Sequence, residues 1–386
     1  MRVTHIITRL VIGGAQENTV ATVLGLREKP GVEPLLISGP TRGPEGSLEP
    51  AFAPFPQILT LVPSLVRPVH PVQDARALLA LRKLLRSQRP QVVHTHSGKA
   101  GVLGRLAARD AGVPVIIHHI HGPSFGPFQG RLANWLFTAA ERYAARATTH
   151  FVCSAQAMTR RYLAAGIGRP EMYTRVFSGF RIDPFVNATN DLELRRSLGF
   201  GADQFVIGKI ARLAPLKGHE DLLKAFQALL PGCPQARLLL VGDGPQGAEI
   251  RQLARRFGLM EKVVFTGLVP PLEVARYVGI MDCLAHLSSR EALSRALPQA
   301  LAGGKPVVSY DFDGADEVCL EGQTGFLVRT GDVAGVVRAL QELAGKPDLR
   351  RQLGQQGQSF VQQHFKVEKM VDDLYELYLK LLSQHG

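Results

Sequence analysis

Four side chains in this sequence could handle a phosphorylated ligand, and they lie far apart along it: His121, Arg212, Lys217 and Glu291. Glu291 closes a polar turn, Ser288-Ser289-Arg290-Glu291, just ahead of a segment running from about Ser294 to Ala302. In that segment Leu297 and Leu301, and Ala296 and Ala300, recur four apart, which predicts a helix with one apolar face. Pro298 then falls in or near the first turn, where a missing N–H costs little. Gly303-Gly304 ends the helix, and Lys305–Ser309 reads as a buried strand. The first N–H groups of a helix are unpaired, so such a loop can receive an anion. Gln299 lies inside the same helix. Arg212 and Lys217 flank a short loop between a predicted strand, Phe205–Ala211, and a predicted helix, Gly218–Leu229. Two cations held before a helix N-terminus could pair with an anion; the bland alternative is a surface loop with two solvated cations.

The elements that must position these groups alternate. In the first half, short apolar runs (Val3–Ile7, Glu33–Ser38, Ile58–Leu61, Gln91–Thr95, Pro114–His118, Thr149–Cys153, Tyr173–Val176) read as strands. Helical patterns lie between them, at Ala15–Leu26, Val72–Ser87, Ala100–Asp110, Gly130–Ala147 and Ala155–Ala165. The second half repeats the plan, with helices expected at Gly218–Leu229, Gly247–Phe257, Pro271–Val278, Ser294–Ala302 and Val333–Leu343. The alternation implies βαβ units, parallel sheets and two doubly wound α/β domains. The expected division is 1–180, 181–365 and a last amphipathic helix over 366–386, with the join near Ser178–Asp191. Gly39–Pro56, rich in Gly and Pro, reads as a mobile loop.

Other motifs sit at strand ends. Gly13-Gly14 follows the first strand and opens a helix, so Gly14 serves either a phosphate approach or a tight turn. Val93–Gly101 (VHTHSGKAG) ends a strand with His94, His96 and Lys99, where open α/β sheets bind ligands. His-x-His could suggest a metal, but no third ligand of matching type is evident nearby, so no metal is expected. Lys99 reads as a phosphate or acceptor contact. In His118-His119-Ile120-His121, strand alternation turns His118 away from His121. The helix Gly130–Ala147 carries Leu132, Trp135, Leu136 and Phe137 with Arg131, Arg142 and Arg146. A core-facing stripe is the expected reading; a membrane-interface helix is the alternative.

Taken together these stretches resemble the retaining glycosyltransferases of family 4 (group 1), over nearly the whole chain and in order: GG loop, HTHxxKAG, HG, R…KG, GDG and the Glu291 element. The HTHxxKAGxLGRLAAR and HxxHG run is similar to the subgroup that builds capsule polysaccharides and lipid-linked oligosaccharides. The resemblance implies a GT-B fold: two Rossmann-like domains, the first for acceptor and the second for donor, with a last helix crossing back to the first domain. It implies retention and metal independence, and no cofactor beyond the substrate, a nucleotide diphosphate sugar, with UDP the expected nucleotide. By the same resemblance Arg212 and Lys217 hold the diphosphate, and Glu291 contacts the transferred sugar. The N–H groups of Ala292, Leu293 and Ser294 help bind sugar or phosphate. Gln299 faces the ribose where the family carries a second Glu, which removes a charge-assisted bond. Gly244 and Leu268 border the donor, Gly14 approaches the phosphate, and His121 lines the reacting centre. His96, Lys99 and His121 face the acceptor.

Composition bounds the partners. The chain has 386 residues and a net charge of +12. Residues 1–180 hold 21 Lys/Arg against 9 Asp/Glu; the remainder holds 45−21 = 24 against 33−9 = 24. All the excess lies in the first half and points to an anionic partner, an anionic membrane surface among them. No aromatic-interleaved basic motif supports nucleic acid. Four scattered cysteines without a CxxC pair read as reduced thiols, and no run of roughly 18 apolar residues exists. The expected location is the cytoplasm, at the inner membrane face if peripheral. A nucleotide-sugar epimerase and a non-catalytic sugar-nucleotide binder are the rival readings.

Overall fold

The computed structural model describes residues 1–41, 46–96, 98–126 and 128–385. The chain forms two compact units, Met1–Phe180 with Val367–Gly386, and Arg181–Lys366. The first is built on strands β1 (Arg2–Ile7), β2 (Glu33–Ser38), β3 (Leu59–Leu61), β4 (Val92–His96), β5 (Val115–Ile120), β6 (His150–Cys153) and β7 (Tyr173–Arg175). They run parallel in the order β3-β2-β1-β4-β5-β6-β7. The second unit holds β8 (Phe205–Ile210), β9 (Ala236–Val241), β10 (Val263–Gly267), β11 (Cys283–His286), β12 (Val307–Asp311) and β13 (Gly325–Arg329). These are also parallel, in the order β10-β9-β8-β11-β12-β13. Each order reverses at one place, between β1 and β4 and between β8 and β11. Loops leaving the carboxyl ends of such strand pairs diverge and leave room for a ligand.

The last helix, Val367–His385, completes the first core. Met370, Val371, Leu374, Tyr378 and Leu381 pack with Val3, Leu26, Val92, Val115 and Val152. Short helices at Asp183–Val186 and Leu192–Ser197 were not expected, the helix expected from Pro271 begins at Val274, and two further differences concern packing. Pro347–His364 is an 18-residue helix where none was expected. Its sequence lacks an apolar period, because it packs through glycines: a Cβ on Gly354 would stand 2.0 Å from the Gly304 carbonyl oxygen, and one on Gly357 2.5 Å from Leu301. In place of Ser294–Ala302, the helix after Glu291 spans Ala296–Ala302, with Pro298 in its first turn and the Ser294 hydroxyl accepting the Ala296 N–H at 3.3 Å. In the Gly39–Pro56 segment, residues 42–45 lie outside the described residues, and Glu49–Phe52 forms a 3-10 turn with Phe52 buried.

The helix Arg131–Ala145 overturns the core-facing expectation. Leu132, Trp135 and Leu136 are 70%, 65% and 51% exposed, and Tyr143 is exposed beside them. At 3.6 residues per turn these four share one face, with Arg131, Arg142 and Arg146 along its edge. The opposite face buries Glu141, whose carboxylate accepts from Arg105 at 2.6 Å and from the Ser124 hydroxyl at 3.0 Å. Arg105, fully buried, also donates to the Gly101 carbonyl at 2.8 Å. A buried pair of this kind is costly to break from one side, because the remaining charge stays dehydrated. Glu141→Ala is therefore expected to destabilise the protein by about 3–5 kcal/mol in urea unfolding; a loss under about 1 kcal/mol would show that Arg105 is satisfied without it.

Candidate functional site

The second unit brings its cations and carboxylate together at the strand-order reversal. The loop after β8 and the loop after β11 are laced through one acceptor, the Leu216 carbonyl. Ser289 N–H donates to it at 2.9 Å. Ser288 Oγ lies 3.1 Å from it and 3.2 Å from Glu291 Oε1, so its hydroxyl can donate to either acceptor. Lys217 Nζ ion-pairs with Glu291 Oε1. Glu291 N–H donates to Asp313 Oδ2 at 3.1 Å, which fixes the backbone from the far side. Gly218 allows the crossing: its φ is +67°, and a Cβ there would meet the Leu287 carbonyl oxygen at 1.8 Å. Only glycine fits both demands.

Arg212 opens the loop after β8 and is exposed. The turn after β9 packs on that loop. Leu213 N–H donates to the Asp243 carbonyl at 3.0 Å, Gln246 N–H donates to the Leu213 carbonyl at 2.9 Å, and a Cβ on Gly244 would meet the Leu213 carbonyl oxygen at 2.4 Å. Gly242 N–H donates to Gly267 across to the end of β10, and the next residue, Leu268, is 72% exposed. Ala292 and Ser294 are buried and Leu293 half-buried in the segment before the helix; Gln299 is half-buried on that helix. Thus Arg212, Lys217, Gly244, Leu268 and Glu291 sit on neighbouring loops at one edge of one sheet.

Beneath them lies a group that sequence reasoning missed. Lys209, next to last in β8, is fully buried, and its Nζ has no hydrogen-bond partner. Around it stand Lys217, Glu291, Asp221, His219 and His286. Desolvation, followed by the charge of Lys217, lowers the Lys209 pKa to about 7. His286, at the end of β11, is held neutral by burial, and its Nε2 is 3.8 Å from Glu291 Oε1. A Lys within an apolar strand gives no sequence signal beyond breaking the run.

In the first unit, His5 on β1 is in register with His94 on β4, and His96 with His119 on β5. His94 and His96 are two apart, so all four rings share one face. His96 is wholly buried and cannot touch an acceptor directly, contrary to the sequence reading. Instead His96 Nε2 is 2.9 Å from His5 Nδ1, and His96 Nδ1 is 2.9 Å from His121 Nε2. Parallel pairing supplies the third ring that is not evident beside His94 and His96 in the sequence: His5, His94 and His96, and again His96, His119 and His121, each present ring nitrogens within 4.8 Å of one another. His118 turns away, its Nδ1 3.0 Å from the Thr95 hydroxyl. Burial keeps His5, His94, His96, His119 and His121 neutral, and their mutual repulsion adds to this for His94, His96 and His119. Lys99 is not a free cation: its ammonium pairs with Asp74 and donates to the Pro68 carbonyl. Gly14 is exposed at the start of the helix Gly14–Leu26.

The comparisons with known proteins agree with this geometry. Residues 13–176 match the glycosyl transferase 4-like domain, and residues 190–360 match glycosyl transferases group 1. The chain belongs to the family 4, group 1 glycosyltransferases. It is 30% identical over 305 residues to the 2-deoxystreptamine N-acetyl-D-glucosaminyltransferase of Streptomyces fradiae, covering 74% of this chain and 70% of that one. It is 25% identical over 325 residues to the UDP-Gal:alpha-D-GlcNAc-diphosphoundecaprenol alpha-1,3-galactosyltransferase of Escherichia coli, covering 83% of each. The fold is GT-B: the chain matches Anabaena HepE, crystallised with UDP, with a TM-score of 0.82 at 23% identity, over 98% of this chain and 100% of that one.

The Lys209 amine makes stability depend on pH. Its folded pKa, about 7, lies below the value near 10.5 of a free lysine. Below about 7 both states carry the proton and burial of the charge is destabilising. Between about 7 and 10 the unfolded chain holds the proton that the folded chain has released, so stability rises with pH. Lys209→Met is expected to be more stable than the wild type at pH 6, with the gap closing as the pH approaches 10. Denaturant titrations across that range test this, and a gap independent of pH would refute it.

Proposed function

We propose that this glycosyltransferase moves a hexose or hexosamine from a UDP-sugar to a glycan or lipid-linked acceptor, with retention at the anomeric carbon. The observation that carries the reading is the Lys217–Glu291 pair, set by two laced loops where the strand order reverses. In the resting site each charge satisfies the other. An incoming diphosphate replaces Glu291 as the partner of Lys217 and frees the carboxylate to accept from the donor sugar's hydroxyls. As the anomeric C–O bond breaks, its electron pair moves onto the diphosphate. Arg212 and Lys217, rather than a divalent ion, take up that charge. The acceptor hydroxyl oxygen forms the new bond, and its proton passes to the departing phosphate. His121, neutral and braced by His96, offers a hydrogen bond beside the reacting centre. Backbone N–H groups around Leu293 and the Gly244 turn contact the donor, and Gln299 meets the ribose through its amide.

The names of relatives support donor and acceptor class: the E. coli enzyme takes UDP-galactose to a diphosphoundecaprenol-linked sugar. A lipid-linked acceptor lies at a membrane, and the exposed Leu132–Trp135–Leu136 face with its arginine edge fits an anionic lipid interface.

A thermal-shift screen of nucleotide sugars, followed by transfer assays with the stabilising donor, tests the reading; stabilisation by no UDP-sugar would overturn it. Lys217→Ala or Arg212→Ala is expected to lower kcat/KM by ~10²-fold; near-normal turnover in both would remove their assigned role. Trp135→Ser with Leu136→Ser should reduce salt-sensitive sedimentation with anionic vesicles several-fold while leaving donor binding intact. Unchanged sedimentation would dismiss this helix as the lipid contact.

A further inference from the structure

Of the buried imidazoles of the first sheet, the transfer reaction uses only the His96 brace of His121; His5 and His94 have no part in it. His5, His94 and His96 are all fully buried, and one ring nitrogen of each lies within 4.8 Å of the others. Their ring centroids are 5.1, 5.2 and 4.5 Å apart. Three imidazoles on one tetrahedral ion, with nitrogen to metal distances of about 2.0–2.1 Å, place their ring centres roughly 5 Å apart.

His94 is also held as a metal ligand is held. His94 Nδ1 lies 2.5 Å from the Tyr378 hydroxyl, contributed by the last helix, while His94 Nε2 is buried with no partner. His5 likewise has Nδ1 engaged, by His96, and Nε2 buried without a partner. In His94 one ring nitrogen is fixed by an outer group and the other is bare, the arrangement that orients metal-binding histidines. His96 has Nε2 on His5 and Nδ1 on His121, so an ion would take the Nε2 that now meets His5. Unpaired buried nitrogens are otherwise costly. Burial keeps the rings in the neutral form that binds a metal.

We propose that His5, His94 and His96 bind one late first-row divalent ion of the Zn(II) or Co(II) class. The donor set decides the class. Three neutral nitrogens without a carboxylate suit ions that bind imidazole strongly, and they do not suit Mg(II) or Ca(II), which require oxygen. The second triad, His96, His119 and His121, shares His96, so the two compete for one ring. The first is favoured because it is the more deeply buried and because Tyr378 orients it; in the second, the His119 and His121 ring centres are only 3.9 Å apart, closer than the roughly 5 Å of two rings on one ion. The ion would tie β1 to β4 at the point where the strand order reverses, a structural role independent of the diphosphate chemistry.

The test uses the untagged full chain, stripped with a chelator and titrated with Zn(II) or Co(II) alone. Equilibrium dialysis with elemental analysis should find one tight equivalent, and Co(II) should show the visible absorption of a four-coordinate ion. Zn(II) should raise the thermal transition, and Mg(II) should not bind. His94→Gln and His5→Gln should each weaken binding by at least about 100-fold, and Tyr378→Phe by roughly 10- to 100-fold. His119→Gln should retain the equivalent. Circular dichroism and melting establish that each variant is folded; if His94→Gln does not fold, Tyr378→Phe carries the test. No tight equivalent, equal affinity in wild type and Tyr378→Phe, or loss of the ion in His119→Gln would each overturn the assignment. All of these readouts are independent of glycosyl transfer, so failure here leaves the functional proposal standing.

Discussion

One carbonyl oxygen organises the carboxyl edge of the second sheet. Leu216 faces the loop after β11 and accepts from both Ser288 and Ser289. Without that anchor, two loops more than seventy residues apart in sequence would have no fixed relation, and Lys217 would have no reason to meet Glu291. The anchor in turn requires the left-handed Gly218, against whose α-carbon the Leu287 carbonyl packs. Backbone geometry thus sets the distance between the charges, and the charges then hold the loops. Neither alone would suffice, since an exposed ion pair contributes little and a loop hydrogen bond competes with water.

Much of this was legible in the sequence. Strand–helix alternation gave both parallel sheets, and the spacing of Arg212, Lys217 and Gly218 after one strand and of Glu291 after another placed them at carboxyl ends. What was not legible came from register. His5 stands about ninety residues from His94, and nothing local announces that parallel pairing sets them side by side. Lys209 reads as an interruption in an apolar run, and its burial beneath Lys217 and Glu291 is a tertiary fact. The helix Pro347–His364 escaped because glycines, which weaken a helix reading, are here the points of closest packing.

The helix Arg131–Ala145 shows the same limit from the other side. An apolar stripe normally points inward, because burying it is favourable. Here the fully buried Arg105 needs a counter-charge more than the core needs Trp135, and Glu141 supplies it. Turning the helix to meet that need puts Trp135 outward, on the half of the chain that carries all of the net positive charge. A buried electrostatic demand has thereby turned an apolar face outward.

The placement of Val367–His385 has a consequence for how the molecule is made. This helix lines the core of the unit that contains the first residues, and its Tyr378 reaches His94. During translation, the opening 180 residues leave the ribosome with Val3, Val92 and Val115 still lacking their cover. They must wait while the whole intervening unit is synthesised. The second unit, continuous in sequence, can finish first, so the order of maturation runs opposite to the order of synthesis. For that interval the nascent chain depends on whatever shields its apolar surface in the cell.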